Sequence, residues 1–301
     1  MAAPFALLAL ALLARCTPGS PPLTAPPAAP PPPLANASST QTAPQVAVQA
    51  TPSAAAAEFD HADFDALLKK HGRGDRIDYA ALQADRAPLD AYLKRVALQP
   101  EAQLLAWPRA AQMAFWINAY NALTLRTIID AYPIEGSGLS GLRFPKSSIR
   151  QLDDPWGKKH TVAGAPRSLD DLEHQLLRKH FQDARIHAAV NCASIGCPPL
   201  RLEAFTAAAL ETQLDEQMRA FVADPLRNVV DPTKKKIALS AIFDWFGEDF
   251  GTKANGKEGE RALLAWLEKY GKPEWKAFLA SFDPDDIDFL DYDWALNDVA
   301  R

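Results

Sequence analysis

His187, Cys192 and Cys197 lie in the stretch Arg185-Ile-His-Ala-Ala-Val-Asn-Cys-Ala-Ser-Ile-Gly-Cys-Pro-Pro-Leu200, which sets one imidazole and two thiols at the end of an apolar run. An imidazole beside a thiol lowers its pKa or takes its proton, and the resulting thiolate attacks a carbonyl carbon. A third group orients such a ring. Glu173 is the first candidate because it precedes His187 on a segment with helical signals, and Asp170, Asp171 and Asn191 are its rivals. Ser194 and backbone amides just past Cys192, with Asn118, Asn121 and Asn191, are candidates to support a substrate or an oxyanion. The same spacing also suits a Cys192–Cys197 disulfide, which would block the thiolate while stabilising the fold by about 2 kcal/mol. A zinc site built from Cys192, Cys197, His187 and His174 fits the usual ligand spacings only loosely, so neither a metal nor another cofactor is expected.

These groups depend on the elements that carry them. The segment Arg109 to Ala131 begins after Pro108, ends before Pro133 and is apolar on nearly every side, which predicts a buried helix. Asn118 and Asn121 share one of its faces, and buried carboxamides need partners. Ser168-Leu-Asp-Asp171 is a helix-capping signature that opens a helix through about His180. Arg185 to Asn191 reads as a short buried strand, so the Cys-His pairing requires a bend near Asn191. A helix over about Leu202 to Val222 follows. Asn228 to Asp231 and Lys236 to Ser240 read as paired strands around Asp231-Pro232. Helices near Ile242 to Phe250, Gly259 to Tyr270 and Trp275 to Ser281, and a strand at Ile287 to Leu290, complete the body. The segment from Pro133 to Arg167 is the least regular. Trp116, Trp156, Trp245 and Trp294 are expected in the core. The acidic run Asp283 to Asp293 lacks the glycine of a calcium loop and reads as a solvated edge. This mixture is an α+β pattern, mostly helical with a small antiparallel sheet.

The chain of 301 residues is 48% hydrophobic, sufficient for a packed core. From Glu58 onward it carries 31 basic and 37 acidic side chains, a net charge of −6 that argues against nucleic acid as the main partner. Residues 1–16 form an apolar run too short to span a bilayer and read as an export signal. Residues 17–57 hold eleven prolines and no charged residue, the composition of a disordered tether. Cys16 between the two resembles the lipidated cysteine of a bacterial lipoprotein signal, although Arg15 stands where a small residue is expected. Cleavage after Ala35-Asn-Ala37 is the alternative. Either places the domain of residues 58–301 in the cell envelope, in contact with the membrane only through an N-terminal anchor.

Phe115-Trp-Ile-Asn-Ala-Tyr-Asn-Ala-Leu-Thr-Leu125, Ser168-Leu-Asp-Asp-Leu-Glu-His174, Arg185 to Ser194, Cys197-Pro-Pro-Leu200 and Tyr292-Asp-Trp-Ala-Leu-Asn297 together resemble the domain of unknown function 547 family, DUF547. That resemblance implies similarity to papain-like cysteine peptidases in fold and in a Glu, His, Cys constellation, here Glu173, His187 and Cys192. It favours Cys192 over Cys197 as nucleophile and implies a peptide or protein substrate. The alternative is a non-catalytic envelope module in which Cys192 and Cys197 are bridged.

Overall fold

A computed structural model describes residues 58–136, 141, 143–251 and 257–300. The chain divides after residue 51 into two units, and all described residues belong to the second. The expected signal, tether and Cys16 anchor lie outside the described residues.

The fold is α+β, with helices surrounding three small sheets. Helices α2 (Tyr79–Ala84) and α3 (Ala87–Leu98) pack on α5 (Arg109–Ala131), α1 (Ala62–His71) packs on α2 and α3, and α4 (Glu101–Leu105) links α3 to α5. Proline caps α5 at its start, and nearly every side chain from Ala111 to Leu125 is buried, as its continuous apolar composition requires. Helix α6 (Asp171–Phe181) packs on α5 and winds with wider π-type turns. Its start is fixed as the capping signature indicates. Ser168 Oγ accepts from the Asp171 amide and the Asp171 carboxylate accepts from the Ser168 amide. No described helix is long and apolar enough to cross a membrane.

The segment expected as a strand is instead a single helical turn, α7 (Ile186–Ala189). Gln182 ends α6 in a left-handed conformation, and the Asp183 carboxylate then accepts from the Arg185 amide at 3.0 Å. That bond starts a new turn where a strand would need the amide free. Arg185 is held there by Asp183 and by Asp215, at 2.7 and 2.8 Å. Val190 then turns extended.

Helices α8 (Leu210–Ala223), α9 (Ala241–Trp245), α10 (Lys257–Tyr270) and α11 (Lys276–Leu279) build a second apolar cluster around strands β5 (Val229–Asp231), β6 (Lys236–Ser240) and β7 (Ile287–Leu290). β5 and β6 pair antiparallel, as their sequence indicates, whereas β7 joins β6 in parallel, with Ile237 opposite Ile287. The sheet is therefore mixed, not antiparallel. The other strands are the ribbon pairs β1 (Gly72–Arg73) with β2 (Arg76–Ile77), and β3 (His160–Val162) with β4 (Ala165–Arg167). The latter pair gives order to a segment that lacks a clear periodic signal.

Helix α7 is the seam between the two apolar clusters. Ile186 and Ala189 belong to the first, Ala184 and Ala188 to the second. Burial of Ile186 alone stabilises this seam by about 2 kcal/mol. His187, between them, is 3% exposed.

Candidate active site

After α7 the backbone reverses at Cys192. The Asn191 carboxamide accepts from the Ala193 amide at 2.8 Å and donates to the Pro198 carbonyl at 2.8 Å. Ala193 takes φ +60°, a left-handed conformation that costs a non-glycine residue about 1–2 kcal/mol. Surrounding contacts hold this turn in place. Asn121 on α5 accepts from the Asn191 amide and donates to the Ala189 carbonyl, both at 2.9 Å. The buried Arg227 guanidinium donates to the carbonyls of Cys197 and Ile195, each at 2.7 Å.

The segment Tyr292–Asn297 closes the turn from the other side. It runs antiparallel to Ala193–Gly196, through Ile195 N–H to Ala295 O at 2.8 Å and Gly196 N–H to Asp293 O at 2.8 Å. A Cβ on Gly196 would lie 3.0 Å from the Asp293 amide nitrogen and from the Tyr292 ring, so a larger residue there would have to push the strap outward. Tyr79 donates to Asn297 Oδ1 at 2.7 Å and anchors the segment to α2.

This strap delivers the Tyr292 hydroxyl to within 3.1 Å of Cys192 Sγ. Ser194 Oγ stands 3.1 Å from the same sulfur and donates to the Tyr292 hydroxyl at 2.9 Å. Cys197 is buried, and its sulfur accepts the Cys192 amide at 3.1 Å. Hydrogen bonding from Cys197 leads the effects that lower the Cys192 pKa to about 7. Burial opposes it, and Ser194 and Tyr292 assist. Burial pushes the Cys197 thiol well above the ordinary range, so Cys192 is the more acidic thiol of the pair. Both thiols are free, and Cys192 is partly exposed.

Cys192 opens into a cavity of about 390 Å³ that His187, Glu173 and Tyr120 also line. His187 stacks on Phe246, with centroids 4.0 Å apart. Its Nε2 lies 2.6 Å from Asp249 Oδ2, whereas Nδ1 lies 4.0 Å from Glu173 Oε1. The Asp249 contact places the ring proton on Nε2 and leaves the Nδ1 lone pair available. Burial lowers the His187 pKa and Asp249 opposes that shift, so the ring is neutral at pH 7. Asp249 is held in turn by Arg178 at 2.5 Å. Glu173 accepts from Tyr120 at 3.1 Å, and burial raises its pKa.

Cys192, Cys197, His187 and Glu173 thus line one cavity, with Ser194 beside the Cys192 sulfur, but among the described residues no hydrogen bond links His187 to Cys192. The carboxylate in hydrogen-bond contact with the imidazole is Asp249, which the sequence reading did not single out; of its rivals, Asp170 lines the cavity and Asp171 caps α6. Asn118, Asn121 and Asn191 do not line the cavity. Both polar atoms of each carboxamide bond to backbone, so Asn121 and Asn191 hold the turn while Asn118 ties α5 to Phe205. Asn121→Ala should destabilise the protein by about 3 kcal/mol in urea unfolding, because it strands a buried amide and a buried carbonyl. Trp116 is buried in the core as expected, but Trp156, Trp245 and Trp294 line the cavity. The sequence offered one signal for Tyr292 and Trp294, their place in the Tyr292-Asp-Trp motif.

Residues 104–222 match the family model described as a protein of unknown function, DUF547, which supports the resemblance over this segment. The matched span contains Glu173, His187, Cys192 and Cys197. Asp249 and Tyr292 complete the cluster from beyond it. No curated protein and no solved structure matches the chain.

Proposed function

We propose that the protein is a thiol hydrolase that cleaves amide or related acyl bonds, with Cys192 as nucleophile. The observation that carries this reading is a partly exposed cysteine whose sulfur lies 3.1 Å from the Tyr292 and Ser194 hydroxyls, in the same cavity as an imidazole paired with a carboxylate. The Cys192 thiolate attacks the carbonyl carbon, forming a C–S bond, and the hydroxyls of Ser194 and Tyr292 turn from the sulfur to the developing oxyanion. As the C–N bond breaks, the departing amine takes a proton from Nδ1 of His187, which the ring has received from the Cys192 thiol. Water then attacks the thioester, with Nδ1 of His187 accepting its proton, and releases the acid and the thiolate. Asp249 positions the ring throughout.

A papain-like arrangement is what the family resemblance implies, and the proposed export to the cell envelope rests on the apolar opening and proline-rich composition of residues 1–57. Fractionation of cells expressing the full chain tests the latter, with the protein expected in the envelope fraction.

The rate of Cys192 alkylation by iodoacetamide tests the thiolate. Because only the ionised form reacts, the rate should rise with pH, pass half-maximum near pH 7 and level off above it. Tyr292→Phe with Ser194→Ala removes stabilisation of the charged form, so the midpoint should move up toward the ordinary thiol value of about 8.5. A midpoint at that value in the unaltered protein would remove the nucleophile. A quantitative Cys192–Cys197 bridge that resists reduction would favour the non-catalytic module.

A further inference from the structure

Beyond the reacting groups, the cavity wall contains an arginine, Arg150, that pairs with no carboxylate among the described residues. Arg150 sits in a short 3-10 turn, Ile149–Gln151, where Ser148 Oγ accepts its backbone amide. Its guanidinium lies over three aromatic rings, 4.6 Å from the Phe144 centroid, 5.2 Å from Trp294 and 5.4 Å from Trp156. Among the described residues it makes no ion pair and no side-chain hydrogen bond, although the other arginines around the site, Arg178 and Arg227, are each paired with a carboxylate. The N–H edge of a guanidinium receives a carboxylate through two parallel hydrogen bonds, and no described residue takes up that of Arg150.

The place of this edge relative to the sulfur is fixed by the aromatic wall. Arg150 covers Trp294, Trp294 packs on Tyr292 with centroids 4.6 Å apart, and the Tyr292 hydroxyl meets Cys192 Sγ at 3.1 Å. Trp245 stacks against Trp294 at 5.8 Å and extends the same wall. An apolar surface two rings wide therefore joins a cation at one end to a nucleophile at the other. Asp154 and Asp170 also line the cavity, but neither forms an ion pair with Arg150.

We infer that Arg150 is the specificity-determining residue of this cavity and binds the free carboxylate of a substrate whose apolar body lies along Trp294 and Tyr292, the arrangement of a short peptide cleaved near its C-terminal carboxylate. The placement of the cleaved bond rests on the hydrolase reading; the carboxylate seat does not.

The test is a binding titration read by tryptophan fluorescence, using the intact protein and its Cys192→Ala form, which holds ligand without turnover. The probes are N-acetyl-alanyl-alanine and 3-phenylpropionate, each set against its carboxamide. A charge-assisted pair predicts that both acids bind about tenfold or more tightly than the amides. Arg150→Met keeps the stacked apolar contact and should bind acid and amide equally, while Arg150→Lys should retain part of the preference. Equal binding of acid and amide by the unaltered protein would overturn the inference. So would failure of both acids to saturate by about 10 mM, an affinity too weak for a paired seat, or a preference that survives in Arg150→Met. Carboxylate preference without any turnover would sink the hydrolase and leave the seat standing, and turnover without preference would do the reverse.

Discussion

Replacing Cys192 with alanine is expected to abolish covalent labelling by acyl-electrophile probes and to lower any amide hydrolysis on the order of 10⁴-fold, because the substitution removes the nucleophile and not merely its activation. The fold should survive, since the sulfur is partly exposed and the turn around it is fixed by Asn121, Asn191, Arg227 and the Tyr292–Asn297 strap. Circular dichroism and the urea midpoint check that point. Cys197→Ala serves as the contrasting case. It withdraws the leading effect that lowers the Cys192 pKa, so alkylation should need higher pH but should still occur at Cys192. Hydrolysis or labelling that persists unchanged in Cys192→Ala would exclude this sulfur from the chemistry.

Asp249→Asn carries the second large effect. The carboxylate holds the His187 proton on Nε2 at 2.6 Å and opposes the lowering of the ring's pKa. An amide in its place no longer fixes the tautomer or stabilises the imidazolium, and kcat/KM should fall on the order of 10³-fold. The sign of the pH effect follows directly. Loss of a neighbouring negative charge disfavours the protonated ring, so the acid limb of the profile should move to lower pH. Glu173→Gln keeps an acceptor for Tyr120 and lies 4.0 Å from the ring, so its effect should stay within about tenfold. A larger loss in Glu173→Gln than in Asp249→Asn would assign the positioning role to Glu173.

The contrast between these two carboxylates shows what was legible in the chain. Glu173 stands in a capped, periodic segment near His187 in sequence, and such signals are local. Asp249 lies 62 positions beyond His187 in an irregular turn after α9, and only the packing of Phe246 and Phe250 against α7 brings it to the imidazole. The buried α5 and the pairing of β5 with β6 were readable because each rests on its own periodicity and end signals. The segment Ile186–Ala189 was not, because four or five apolar residues have the same pattern in a buried strand and in a buried helical turn. The deciding contact, Asp183 on the Arg185 amide, concerns capping and not hydrophobicity. The cavity tryptophans escaped for a related reason, since composition does not distinguish a ring inside a core from one that walls a hollow.

The strap that brings Tyr292 to Cys192 has a consequence for biosynthesis. The two residues are 100 positions apart. At a synthesis rate of about 5–20 residues per second, the cysteine leaves the ribosome about 5–20 s before the tyrosine that meets it. Throughout that interval the nascent thiol lacks one of its two hydroxyl partners and retains more of the low reactivity of an ordinary cysteine. Translation order thereby delays the emergence of a reactive sulfur until most of the polypeptide around it has been made.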